Sequence, residues 1–194
     1  MRQFRPGVLY AVRTLIAMAV MLISSTGAMA SEWAIDKSAS TLGFRATQEG
    51  GAFEGVFENW SAEIVLDPAD LSGARIHAVI DLSSAKTGDR ARDQALPGND
   101  WFDVKTKTEA EFLAEKIVYA DADGTYIAMG TLSLRDGVKP VMLPFTLKID
   151  GDTARAVGET VLLRTDFGVG QGAFATDEWV GLNVTVFVDI TASR

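Results

Sequence analysis

Catalysis needs reactive side chains, and this chain offers few. It has one histidine, His77, and no cysteine in 194 residues. His77 falls in phase with Arg75, Val79 and Asp81, opposite Ile76 and Ile80, which places it on the outward face of a strand. No Gly-x-Ser-x-Gly turn accompanies it, so a general base would lack a nucleophile to serve. One histidine without cysteine does not build a zinc site of the usual kinds. Asp121-Ala122-Asp123-Gly124 begins like a calcium loop but lacks the third ligand and the glutamate in register, and reads as a hairpin turn. Gly168-Val169-Gly170-Gln171-Gly172 follows a strand, but its spacing is not that of a dinucleotide-binding loop and no helical pattern follows. The expectation is no catalytic residue, no metal and no cofactor.

What remains is chemistry of recognition. Arg92-Asp93 and Arg164-Thr165-Asp166 are Arg/Asp pairs beside irregular segments. Each is read either as a local ion pair fixing a loop or as a polar rim, with Arg92, Arg164 and Asp166 orienting a ligand head group. Phe44, Phe53, Phe57, Phe112 and Phe145 fall on the apolar faces of strands, and Trp101-Phe102 is an aromatic pair in a polar setting. These seven are the candidate apolar lining. Each phenylalanine alone is core; in a barrel the same stripe would wall a cavity. A filled and a hollow barrel both need apolar inward faces, so the pattern leaves the two open.

The elements that would position these residues are strands. In Val141–Ile149, Val141, Leu143, Phe145, Leu147 and Ile149 alternate with Met142, Pro144, Thr146 and Lys148, a period of two over nine residues. Tyr126–Leu134 pairs with it through a turn at Asp136-Gly137, expected to exceed two residues because Lys139-Pro140 follows. Similar alternation places Leu42, Phe44 and Ala46 on one face, then Phe53, Gly55 and Phe57, then Ala62, Ile64 and Leu66, then Ile76, Ala78, Ile80 and Leu82. Gly55 within a strand marks a bend or a close backbone approach. Further strands are expected over 109–119, Ala154–Leu163 and Val180–Ile190. Residues 83–108 break the pattern with a short charged helix over Asp89–Leu96. Nine or ten short strands with regular turn signals predict an all-β fold, an antiparallel sandwich or barrel; a barrel of about eight strands has no exposed edges.

Residues 1–30 stand apart. Arg2, Arg5 and Arg13 precede an apolar run from Thr14 to Ile23, too short to span a membrane, and Ala28-Met29-Ala30 precedes Ser31. This reads as a secretory signal cleaved after Ala30, leaving one domain over 31–194 and a periplasmic location. The leader holds three arginines and no acids, so its removal takes the net charge from −8 to −11. Such a surface argues against nucleic acid and anionic membrane as partners, and no second apolar segment suggests stable membrane insertion. A homodimer stays open.

Taken in order, the chain resembles the YceI-like family of exported lipid-binding proteins. The resemblance is carried by Trp33-x-Ile35-Asp36, Ser40-x-Leu42-x-Phe44, Gly55-x-Phe57 and Arg92-Asp93-x-x-Leu96. It continues through Trp101-Phe102-Asp103, Phe112, Gly130-x-Leu132-x-Leu134, Val141-x-Leu143-Pro144, Arg164-x-Asp166-Phe167-Gly168 and the final alternating strand. Two departures fall in loops: Val104–Thr108 lacks the family's proline, and Asp136 stands where the family favours glycine. The resemblance implies a lipocalin-like antiparallel barrel holding a long apolar chain, a polyisoprenoid or similar amphiphile. The expected function is therefore a non-catalytic periplasmic carrier of a long-chain isoprenoid or other apolar-tailed lipid. The net charge favours a neutral or quinone-like head over a pyrophosphate unless Arg92 or Arg164 offsets it. The alternatives are a hydrolase or isomerase on a similar barrel, which needs an inward carboxylate, and a filled β-domain that binds a protein partner.

Overall fold

Among the described residues the alternation read from the sequence becomes eleven strands, most of them joined by tight turns. The computed structural model describes residues 32–121 and 123–194. The leader and the cleavage after Ala30 expected from the sequence lie outside the described residues.

The strands are β1 (Glu32–Ile35), β2 (Thr41–Gln48), β3 (Gly51–Phe57), β4 (Trp60–Asp67), β5 (Asp70–Asp81) and β6 (Ala85–Lys86). They continue as β7 (Glu109–Asp121), β8 (Thr125–Leu134), β9 (Gly137–Asp150), β10 (Thr153–Leu163) and β11 (Asn183–Ser193). The neighbours run β1-β4-β5-β7-β8-β9-β10-β11, and β1 closes the ring onto β11 through Ala34–Ser193 and Ile35–Ala192. All these pairings are antiparallel, giving an eight-stranded closed barrel.

The first strand is bent in two. After β1 the Asp36 carboxylate accepts bonds from the Ser38 amide and hydroxyl and caps a 3-10 turn over Lys37–Ala39. The chain then re-enters the sheet as β2, which follows β11 from Asp189 to Thr185 and carries β3 and β6 on its far side. One end of the barrel thus has an extra three-stranded flap. Gly55 sits under the ring of Phe44, where a Cβ would come within 2.4 Å of the ring, so the close approach expected there is present.

The 83–108 region holds one helix, α1 (Arg90–Ala95), capped by the Asp89 carboxylate on the Ala91 and Arg92 amides. The β8–β9 turn differs from expectation. Leu134 pairs with Gly137, so the loop is only Arg135 and Asp136, with Arg135 at φ 47°. Pro140 does not lengthen the turn, because it faces away from β8, as shown below.

The barrel has two apolar clusters. One gathers Trp33, Leu66, Ile117, Tyr126 and Phe145 at the closed end. The other gathers Leu42, Phe44, Leu82, Phe102, Phe167 and Val169 under the flap and the irregular loops.

Candidate ligand-binding site

Between these clusters the barrel is hollow. A bore of about 210 Å3 runs along its axis. Its wall is hydrocarbon apart from the Thr160 hydroxyl and the indoles of Trp33 and Trp60. Alanine makes the space: Ala62, Ala78, Ala110, Ala154, Ala156 and Ala192 take inward positions on five strands. A second chamber of about 720 Å3 lies between the β2–β3 hairpin, α1 and the loops after β10. Phe57, Phe102, Leu134, Leu162 and Val186 line both, so the bore and the chamber share a wall.

Of the residues singled out in the sequence, Phe112 and Phe145 line the bore and Phe44, Phe53 and Trp101 line the outer chamber. Phe57 and Phe102 line both. Their rings touch in sequence: Phe53 meets Phe44 edge-on at 6.5 Å, Phe44 meets Phe57 at 5.4 Å, and Phe57 meets Phe102 at 6.1 Å. The aliphatic lining, such as Leu132, Val141 and Leu143, was visible as alternation but is not aromatic and so did not stand out.

The polar residues divide differently. Arg92 and Arg164 both line the outer chamber, with Gln48, Glu49 and Asp89. Arg92 is half-buried, over the Phe53 ring at 4.4 Å, and donates to Thr87 Oγ1 and Gln48 Oε1 at 3.3 Å each. It does not form the local pair with Asp93, whose carboxylate instead accepts from the Thr87 amide and hydroxyl. Those two bonds hold the Asp93 carboxyl below its ordinary value.

Arg164 is 3% exposed. Its guanidinium donates to the carbonyls of Gly181, Val169, Gly170, Thr176 and Val180, at 2.8–3.5 Å. Burial pulls its pKa down from the ordinary value, and the charge of Asp177 opposes this. A guanidinium has five N–H donors. With five carbonyls around it, Arg164 is a clamp on the loop from 168 to 181 and not a grip for a head group. Asp166, placed in the polar rim by sequence, is exposed and lines neither chamber. The 3-10 turn Arg164–Phe167 buries the arginine and the phenylalanine and leaves the aspartate outside.

Two contacts that the sequence did not signal close the outer chamber. The amides of Gly170 and Gln171 both donate to the Asp100 carbonyl at 2.8 Å, and Arg135 Nη1 donates to the Trp101 carbonyl at 2.6 Å. Trp101 then lies 5.0 Å from the Phe174 ring. His77 sits on the outer face of β5 with Nε2 2.6 Å from Glu111 Oε1, remote from both chambers. Among the described residues no group of histidine, aspartate and glutamate is placed to hold a metal.

A closed antiparallel barrel with an apolar bore defines a lipocalin-like binding fold. The chain belongs to the YceI-like family, whose domain model matches residues 33–192. It is 26% identical over 179 residues to the UPF0312 protein of Pseudomonas syringae pv. tomato, covering 88% of this chain and 92% of that one. Among solved structures it is similar to BcnA of Burkholderia cenocepacia, with TM-score 0.79 and 28% identity over 82% of this chain and 99% of that one. It also shares its fold with a polyisoprenoid-binding domain from Saccharophagus degradans, with TM-score 0.62, 14% identity, and coverage of 84% and 98%.

Proposed function

We propose that this protein is a non-catalytic carrier that buries the apolar tail of a long-chain isoprenoid or similar lipid, with its polar end in the outer chamber. The observation that carries this reading is the lining of the bore, which holds no carboxylate, histidine or basic group. A narrow bore that shares a wall with a wider chamber suits a long thin ligand with a bulkier end. The polyisoprenoid-binding neighbour supports the same ligand class. At about 25 cal/mol per Å2, enclosing a tail of several hundred Å2 supplies on the order of 10 kcal/mol before ordering costs. Arg92 is the cation at the rim of the chamber, since Arg164 is engaged with carbonyls. With a net charge of −11 for residues 31–194, a neutral or quinone-like head fits better than a pyrophosphate. The leader over residues 1–30 supports delivery to the periplasm.

The test is a titration with ubiquinone-10, read by quenching of Trp33 and Trp60, which wall the bore. Saturable quenching that the tail-less benzoquinone head fails to produce is expected. Equal responses to head and full molecule would refute burial of the tail.

A further inference from the structure

The barrel wall is not continuous on one side. The ladder between β9 and β10 runs from Asp150–Thr153 to Phe145–Gly158 and stops. Among the described residues no ladder joins Gly137–Pro144 to Glu159–Leu163, although β8 pairs with β9 down to Gly137 and β11 pairs with β10 up to Leu163. The strands meet again beyond the gap, where Gly137 lies against Asp166 and Phe167. The result is a slit bounded at both ends, roughly 20 Å long at about 3.3 Å per residue.

The sequence explains why it does not zip. The Leu147 amide donates to the Gly124 carbonyl on the β8 side, and the β8–β9 register runs without a shift from Thr146 to Gly137. Odd-numbered amides of β9 therefore face β8, and even-numbered ones face β10. Pro140 and Pro144 occupy two of the even positions, and the ladder ends at the residue before which Pro144 stands. Proline has no N–H to give, so the missing donors all fall on the slit.

Both sides of the slit belong to the bore. Val141 and Leu143 from β9 and Thr160 and Leu162 from β10 line it from within. Outside, Val138, Met142 and Val161 are 63%, 60% and 61% exposed, with Val157 and Leu163 beside them. An outward barrel face normally carries polar residues, so this rim is unusual. The acid beside it, Glu159, is paired with Arg45 at 3.1 Å. The other routes into the bore are less suited to a bare hydrocarbon. The far end is stopped by Trp33, whose indole donates to the Leu66 carbonyl, and by stacked Tyr126 and Phe145. The outer chamber is rimmed by Gln48, Glu49, Asp89 and Arg92.

We propose that the β9–β10 slit is a side entrance through which the apolar chain of the ligand passes laterally into the bore. The entrance rests on the carrier reading and adds to it the route of loading. Because the chain lacks cysteine, the route can be tested by paired substitution. Extending the register places Met142 opposite Val161, so Met142→Cys with Val161→Cys, joined by a short bismaleimide, closes the slit. Ala52→Cys with Ala91→Cys, joined likewise, tethers the outer chamber instead. Transfer of ubiquinone-10 from phosphatidylcholine vesicles is followed by tryptophan quenching in stopped flow. The slit-linked protein is expected to load at least tenfold more slowly than its unlinked parent, and more slowly than the chamber-linked protein. The double variant Pro140→Val and Pro144→Val, which restores the donors without a linker, should slow loading in the same direction. Equal rates for slit-linked and parent proteins, or slow loading only in the chamber-linked one, would overturn the entrance and leave the carrier reading standing. A parent protein that takes up no ubiquinone would overturn both.

Discussion

Arg164 carries its charge into the protein, where its guanidinium donates its hydrogen bonds to backbone carbonyls. Its value is in holding the 168–181 loop, and a lysine has neither the fork nor the reach to satisfy the same acceptors. Arg164→Lys should cost about 3 kcal/mol, the scale for disrupting a buried charged network, and lower the thermal midpoint measured by circular dichroism. An unchanged midpoint would contradict the clamp. Gly170 is part of the same device, at φ 83°, with the Arg164 guanidinium and the Phe174 carbonyl in the space that a Cβ would take. Gly170→Ala should therefore destabilise, and less so in the Arg164→Lys background than alone, because the two changes damage one contact. A strictly additive cycle would separate them. Acid stability has a residue-level cause as well. The Asp93 carboxyl is held low by Thr87, so its contribution is complete above the ordinary carboxylate pKa of about 3.9 and is lost as the pH falls through the lower folded value. Thr87→Val should weaken the protein at neutral pH and flatten its stability profile below about pH 4, measured by urea unfolding. A profile parallel to that of the parent would remove Thr87 as the cause.

At the scale of elements, the strands were legible because inward and outward residues alternate without error over most of their length. Even the irregularity in β7 was written there: Ala110, Phe112 and Ala114 are inward at even positions, and Ile117 is buried at an odd one. A bulge between Ala114 and Lys116 reconciles them. The turn after Leu134 was misjudged because Pro140 was weighed as a ladder breaker without knowing which neighbour it faced. Proline on the β10 side leaves the β8 hairpin tight. Neither Arg/Asp pair forms a local ion pair, because nearness in sequence says nothing about which hydroxyls and carbonyls a loop will later offer. Two changes test the wall. Phe112→Asp puts a charge into the bore and should abolish quinone binding while the far-UV spectrum stays that of the parent. Ala156→Leu should fill part of the bore, reduce uptake and leave stability level or higher, since the added methyl groups enter existing space. Full uptake by both variants would place the ligand elsewhere.

At the scale of the molecule, the closed barrel follows from strand count and from the cost of exposed edges, and was expected. Its hollowness was not settled by alternation, because a filled barrel shows the same stripes. The signal that separates them lies in residue size. Six inward alanines, on β4, β5, β7, β10 and β11, remove the volume that leucines or valines would fill. A core of this length closed by larger residues would be solid. The space is thus built into the sequence, and the account stands on its being occupied by a lipid tail. The most direct measurement is mass spectrometry of an organic extract from protein purified natively, without detergent, from cells that express the full chain. The account predicts a long-chain isoprenoid or related lipid in near-stoichiometric amount, lost in Phe112→Asp. A clean extract, with no lipid taken up on refolding, would contradict it.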